Sequence, residues 1–132
     1  MKKKIQLAPR ERHALEKLHL ILTEQPGKKI TIAKLLVDTG LGRHKAGAAF
    51  LQLYGETIDA FRRRQRYMYG CYLLAADEMP MKRIASLCGY SNKQNFITAF
   101  KKNCGVTPGQ YQKNLVSMDT EIKPIHPAIK PH

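Results

Sequence analysis

The chain has 132 residues, 43% hydrophobic and 25% charged, which leaves room for one domain or two very small ones. Its 23 Lys and Arg outnumber its 10 Asp and Glu, a formal charge of +13 that repels itself and points to a polyanionic partner. A membrane span (~20 apolar residues), a signal peptide, a disulfide frame and a zinc site are all set aside: no apolar run is long enough, Met1-Lys2-Lys3-Lys4-Ile5 lacks an apolar core behind it, and Cys71, Cys88 and Cys104 form no CxxC pair.

Apolar residues recur at helical spacing, and few stretches alternate with a period of two. Leu15, Leu18, Ile21 and Leu22 form one stripe, Pro9 suits a first turn, and Gln25-Pro26-Gly27 is a stop, so a helix is predicted over about 9–24. Thr31 caps a short helix, Ile32 to Leu36, closed by Gly40. Leu41-Gly42 turns the chain into a second helix with Ala46, Ala49, Phe50 and Leu53 on one face, ended by Gly55. Thr57 caps a long helix from Ile58 to about Ala76, which Gly70 interrupts at some cost. Pro80 opens a short helix, Met81 to Cys88, ended by Gly89. Ser91 then caps Asn92 to Asn103, ended by Gly105. Thr107-Pro108 starts a last helix to about Val116, and after Met118 a proline-spaced basic tail is expected to be extended and disordered. A weak internal repeat emerges: short helix, glycine, turn, longer helix, glycine, over 31–55 and again over 80–105. Two helices joined by a glycine-containing turn make a helix-turn-helix, whose second helix can enter a DNA major groove.

The second unit resembles the C-terminal DNA-binding domain of the AraC/XylS family of bacterial transcription regulators. The residues that carry the resemblance are Ile84-Ala85-Ser86-Leu87-Cys88-Gly89-Tyr90-Ser91, Asn95-Phe96, Ala99-Phe100-Lys101-Lys102, Gly105-Val106-Thr107-Pro108 and Tyr111. The first unit matches more loosely, through Ile32-Ala33, Leu41, Phe50, Gly55, Thr57, Phe61, Arg66 and Leu73-Leu74. The resemblance covers about 8–113. It implies an all-α fold of about seven helices, with two homeodomain-like helix-turn-helix subdomains joined by a long linker helix. The expected layout is a basic extension over 1–7, subdomain one over about 8–56, the linker over about 57–76, subdomain two over about 78–116, and a Pro/Lys tail over 117–132. A linker of 20 positions is ~30 Å long, close to the ~34 Å of one DNA turn, so two reading helices would meet adjacent major grooves. The length fits either a small single-domain regulator or the DNA-binding part of a longer one.

The same resemblance assigns base reading to Arg43, His44, Gly47 and Ala48 in the first unit, and to Lys93, Gln94, Ile97 and Thr98 in the second. Arg43 suits guanine, Gln94 suits adenine, Lys93 suits guanine or a phosphate, and Ile97 and Thr98 suit a thymine methyl. Gly47 and Ala48 depart from the family pattern, where longer polar side chains often sit. Phosphate contacts are expected from Lys45, Arg63, Lys82, Arg83, Ser91, Lys101, Lys102 and Thr107. Arg62 and Arg64 are also candidates, although at most two of three consecutive arginines share a helix face. Arg66 matches a family arginine for which a structural ion pair is expected, with Asp59 or Asp77 as partner. Tyr90 is read as a half-buried aromatic that fixes the turn.

An enzyme is not expected: the five histidines form no metal pair, no nucleotide or nucleophile motif appears, and Cys88 reads as packed. The expected partner is double-stranded DNA, with RNA polymerase as a second partner on the family's precedent. No cofactor, metal or membrane is expected, and a monomer is favoured. The expected role is a bacterial activator in the cytoplasm, associated with the nucleoid. The rival readings are an adaptor that keeps the fold and a non-specific nucleic-acid binder.

Overall fold

A computed structural model describes residues 5–118, and among these it contains helices and no strands. Seven α-helices follow in order: α1 (Pro9–Glu24), α2 (Ile32–Leu35), α3 (Arg43–Tyr54), α4 (Ile58–Ala76), α5 (Met81–Leu87), α6 (Lys93–Cys104) and α7 (Pro108–Met118). A short 3-10 turn, Val37–Thr39, lies between α2 and α3. Residues 117 and 118 of the expected tail belong to α7, because the helix runs on to Met118, and the rest of the tail lies outside the described residues. Two compact units divide within α4, between Arg63 and Arg64.

The punctuation residues act as their chemistry requires. Thr31 Oγ1 accepts the Lys34 amide at 3.1 Å and Thr57 Oγ1 accepts the Ala60 amide at 3.1 Å, each relieving an orphan donor at a helix start. Asn92, not Ser91, caps α6: its Oδ1 accepts the Asn95 amide at 2.8 Å, while Ser91 Oγ accepts the Asn95 side-chain amide at 3.2 Å. Both residue types cap well, and the helix begins one residue later than the sequence suggested.

The first unit is built on Leu15, Leu18 and Leu22 of α1, packed with Ile32, Leu36, Leu41, Ala46, Ala49, Phe50, Ile58 and Phe61. His19 joins this core as an aromatic, stacked on Tyr54 at 4.1 Å and Phe61 at 4.7 Å. In the first helix-turn-helix α2 stops at Leu35, one residue before the expected Leu36, and a 3-10 turn fills the stretch to Gly40. Ile32 to Gly40 spans eight positions and Ile84 to Gly89 spans five. The difference is the length of that three-residue turn. Thr39 holds it together. Its buried hydroxyl donates to the Leu36 carbonyl at 2.7 Å and accepts the Leu41 amide at 3.0 Å. A buried polar group needs such partners, and here they tie the two ends of the turn together.

The second unit packs Cys71, Leu73, Leu74, Ile84, Ala85, Cys88, Phe96 and Phe100 into one core, with Tyr67, Tyr90 and Tyr111 at its margin. Its turn is compact. After α5, the Gly89 amide donates to the Ser86 carbonyl and the Tyr90 amide to the Ala85 carbonyl, both at 3.0 Å. This is the paired closure made by a left-handed residue after a helix, and Gly89 supplies it with φ +94°. Gly70 does not break α4. A Cβ there would fall 3.0 Å from Phe96 Cε1, so the missing side chain is what lets the Phe96 ring approach.

Candidate nucleic-acid interface

Phe96 and Phe100 point α6 inward, one turn apart. The residues between them in angle therefore face out: Lys93, Gln94, Thr98 and Lys101 are exposed and Ile97 is half-buried. Gln94 Nε2 donates to Thr98 Oγ1 at 3.4 Å, so these two side chains touch each other along the helix. Lys101 and Lys102 stand in the last turn of α6, where cations also meet the negative end of the helix dipole. Lys82 and Arg83 are exposed at the start of α5. Residues 79–118 carry Lys82, Arg83, Lys93, Lys101, Lys102 and Lys113 and no acidic residue. Thr107 is half-buried, and its hydroxyl accepts the Gln110 amide at 3.2 Å as the cap of α7.

In the first unit, Ala46, Ala49 and Phe50 turn α3 inward. Arg43, His44 and Ala48 face out, Gly47 is half-buried with open space where a Cβ would stand, and Leu51 continues the outward stripe. No side chain caps this helix, since Gly42 sits at the cap. Arg43 and Lys45 already have carboxylate partners: Arg43 Nη2 lies 3.5 Å from Asp59 Oδ2, and Lys45 Nζ lies 3.5 Å from Glu11 Oε2.

The three consecutive arginines separate clearly. Arg63 is exposed. Arg62 is buried and donates from Nη2 to the Lys28 carbonyl, tying α4 to the α1–α2 loop, so it leaves the list of phosphate candidates. Arg64 is exposed, with Nη1 3.5 Å from Met68 Sδ. Arg66 also has a structural setting. Its guanidinium lies 5.7 Å from the centre of the Tyr90 ring and occupies the space that a Cβ on Gly89 would need. The carboxylates expected for it are engaged elsewhere, Asp59 with Arg43 and Asp77 Oδ1 with the Gln112 amide at 3.2 Å. Tyr90 is half-buried, 5.7 Å from the Phe96 ring centre. Sequence reasoning missed Thr39 and Glu11, and offered Asp59 to Arg66 where the structure pairs it with Arg43. Glu11 and Asp59 carry a local sign, since both are acids in the first turn of a helix, but their partners lie far along the chain.

Cys88 is fully buried, and burial pushes its thiol up to about 12, so it stays protonated and unreactive. Among the described residues no cluster of His, Cys, Asp and Glu could hold a metal ion, and no helix is long and apolar enough to cross a membrane.

Residues 35–114 match the family described as "Helix-turn-helix domain". That span contains α3 to α6 and both turns' glycines, so it rests on the same elements as the geometry above. The chain belongs to the AraC/XylS family of DNA-binding domains. This AraC-type domain is 29% identical over 103 residues to the "Probable transcriptional regulator LumQ" of Photobacterium leiognathi, covering 74% of the chain and 42% of that protein. It is 29% identical over 85 residues to the xylose operon regulatory protein of Escherichia coli K12, covering 64% of the chain and 22% of that protein. To the transcriptional activator RhaR of Klebsiella pneumoniae it is 27% identical over 99 residues, covering 75% and 35%. The chain thus spans between about a fifth and two fifths of the length of these curated relatives, all of them regulators by name. In fold, it is similar to the DNA-binding domain of AdpA, solved in complex with a target DNA, with a TM-score of 0.76, 17% identity, and coverage of 82% of this chain and 97% of that one. The C-terminal domain of the response regulator AraT from Geobacillus stearothermophilus aligns with a TM-score of 0.69 and 24% identity, covering 93% and 98%.

Proposed function

We propose that the chain is the sequence-reading part of a transcription regulator, binding duplex DNA with α3 and α6 each laid in a major groove. The observation that carries this reading is α6 itself. It is a capped twelve-residue helix with two phenylalanines fixed in the core and Lys93, Gln94, Ile97 and Thr98 on its outer side. Lys82, Arg83, Lys101 and Lys102 flank those residues as phosphate contacts, with Ser91 and Thr107 beside them. Phosphate contacts supply affinity and register, and the outer side chains supply the choice of bases. AdpA, a neighbour in fold, is described with a target DNA, which supports duplex DNA as the partner class.

The first unit is the weaker reader in this proposal. His44, Gly47 and Ala48 offer little to hydrogen-bond, and Arg43 and Lys45 must leave carboxylates to reach DNA. The nineteen residues of α4 make a helix of about 28 Å, on the scale of one turn of DNA, which supports two blocks in neighbouring grooves. Binding is an equilibrium with no chemistry, cofactor or metal. An activator working in the cytoplasm on the nucleoid, with RNA polymerase as second partner and the domain monomeric, completes the proposal; RhaR is an activator by name.

Selection of binding sites from a random duplex pool at near-physiological salt tests it. Two enriched blocks about one helical turn apart are expected. Gln94→Ala should cost about 1–3 kcal/mol at the selected site and relax one base position, and Lys101→Ala should weaken every sequence and lower the salt slope by about 1. Binding without any enrichment would remove sequence reading and leave charge-driven association or an adaptor role.

A further inference from the structure

The cations on the two reader helices live in opposite surroundings. Lys93, Lys101 and Lys102 of α6 form no ion pair among the described residues. Arg43 and Lys45 of α3 both do, and their partners come from two different elements. Glu11 stands in the first turn of α1 and Asp59 in the first turn of α4. Carboxylates at those places are favoured by the positive end of the helix dipole, so they are held there whether or not α3 needs them.

Glu11 is the more firmly placed of the two. Its Oε1 accepts the Ala8 amide at 3.0 Å and its Oε2 faces Lys45. The hydrogen bond from Ala8 and, after it, the charge of Lys45 hold its carboxyl below the usual range. Its side chain is 22% exposed, against 56% for Asp59.

We infer that Glu11 and Asp59 are fixed counter-ions of the first reader helix, which compete with DNA for Lys45 and Arg43 and so set how strongly this unit grips DNA of any sequence. This inference rests on the proposed reading of duplex DNA. A phosphate that recruits Lys45 only exchanges one anion for another, so a random sequence gains little from it. A guanine edge offers Arg43 two acceptors in the plane of its guanidinium, which a single carboxylate oxygen at 3.5 Å does not match. The pairs therefore lower binding to wrong sequences more than to the right one, which is where discrimination comes from.

The test uses the full chain and measures affinity for random-sequence duplex across a salt series. Glu11→Gln keeps an oxygen for the Ala8 amide, so the start of α1 is preserved while the charge is lost. It should raise the affinity about three- to tenfold and steepen the salt slope by about one. Asp59→Asn should do the same by a smaller factor, because its pair is more exposed. Glu24→Gln removes a charge from an exposed glutamate that pairs with nothing described, and sets the size of a plain charge effect. In a Lys45→Ala background the gain from Glu11→Gln should shrink to that of Glu24→Gln, and Arg43→Ala should do likewise for Asp59→Asn. Equal gains from Glu11→Gln and Glu24→Gln, or a gain that survives Lys45→Ala, would overturn the inference. A wild-type chain that bound no duplex would instead bring down the proposed function itself.

Discussion

The two helix-turn-helix units solve one packing problem in two ways. The second closes its turn with backbone alone: Gly89 takes φ +94°, two amides reach back to α5, and Asn92 caps the next helix. The first inserts a 3-10 turn, fixes it with a buried threonine, and starts its reader helix from a glycine with no side-chain cap. Among the described residues Lys93, Lys101 and Lys102 of α6 form no ion pair, whereas Arg43 and Lys45 of α3 both do. The lesson is that a shared fold can close its turn through the backbone in one copy and through a buried side chain in the other, with different ion pairing on the helix that follows.

The largest expected departure between the units is at high pH. In the second, burial pushes Cys88 up to about 12 and also raises Cys71, Tyr67, Tyr69 and Tyr111. Their ordinary values are 9.0 for the thiols and 10.0 for the phenols, so the unfolded chain releases these protons first. Stability is complete below pH 9 and is lost as pH rises through about 12. In the first unit, Tyr54 alone is shifted that way among the described residues. Proton NMR of the rings should show Phe96 and Phe100 losing dispersion at a lower pH than Phe50 and Phe61. Simultaneous loss would remove the contrast.

The turns come next. Gly89→Ala forces a left-handed backbone on alanine and places a Cβ 2.7 Å from the Arg66 guanidinium, which must then shift. About 3 kcal/mol of destabilisation is expected. Gly40→Ala, at φ +74° with open space around it, should cost only about 1 kcal/mol. Urea unfolding of the two variants compares them directly, and equal losses would mean that the second turn is no tighter than the first.

Thr39→Val keeps the shape and deletes the hydroxyl that satisfies the Leu41 amide. It should cost about 2 kcal/mol, read as a fall in the unfolding midpoint. A change within error would show that the 3-10 turn stands without it.

The smallest effects concern the caps. Asn92→Ala should cost about 1 kcal/mol, while Gly42→Ser, at an extended backbone with room for a Cβ, should gain a few tenths, about 0.3 kcal/mol. Thermal unfolding reads both, and a loss on Gly42→Ser would mean the bare cap is required.

Local signals were legible in the sequence, and choices between distant partners were not. Pro9, Thr31, Thr57, Gly55, Gly105 and Thr107-Pro108 each mark a helix end by chemistry confined to a few neighbouring residues, and the helices begin or end beside them. The 3-10 turn was hidden because its cause is a buried Thr39, a residue type that usually lies on the surface. Arg62 and Arg63 look alike in sequence, and only the packing of α4 on the α1–α2 loop distinguishes them. Arg66 was expected beside an acid and lies across an aromatic ring, because tertiary structure, not charge count, decides which neighbour a long side chain reaches. In the candidate interface the outward faces of α3 and α6 followed from helical period and the buried phenylalanines. The pairing of Arg43 and Lys45 did not, since Asp59 and Glu11 lie 16 and 34 positions away.

Gly70 bears on how freely α6 can turn. Its bare backbone is a notch into which the Phe96 ring fits, as a key fits a keyway. Rolling or sliding α6 against α4 would first have to lift that ring from its slot. The azimuth at which α6 presents Lys93, Gln94 and Thr98 is therefore set from behind, by an absent side chain on another helix. Gly70→Ala, which would strengthen most helices, would here place a Cβ 3.0 Å from Phe96 Cε1, and the ring would have to give by a few tenths of an ångström.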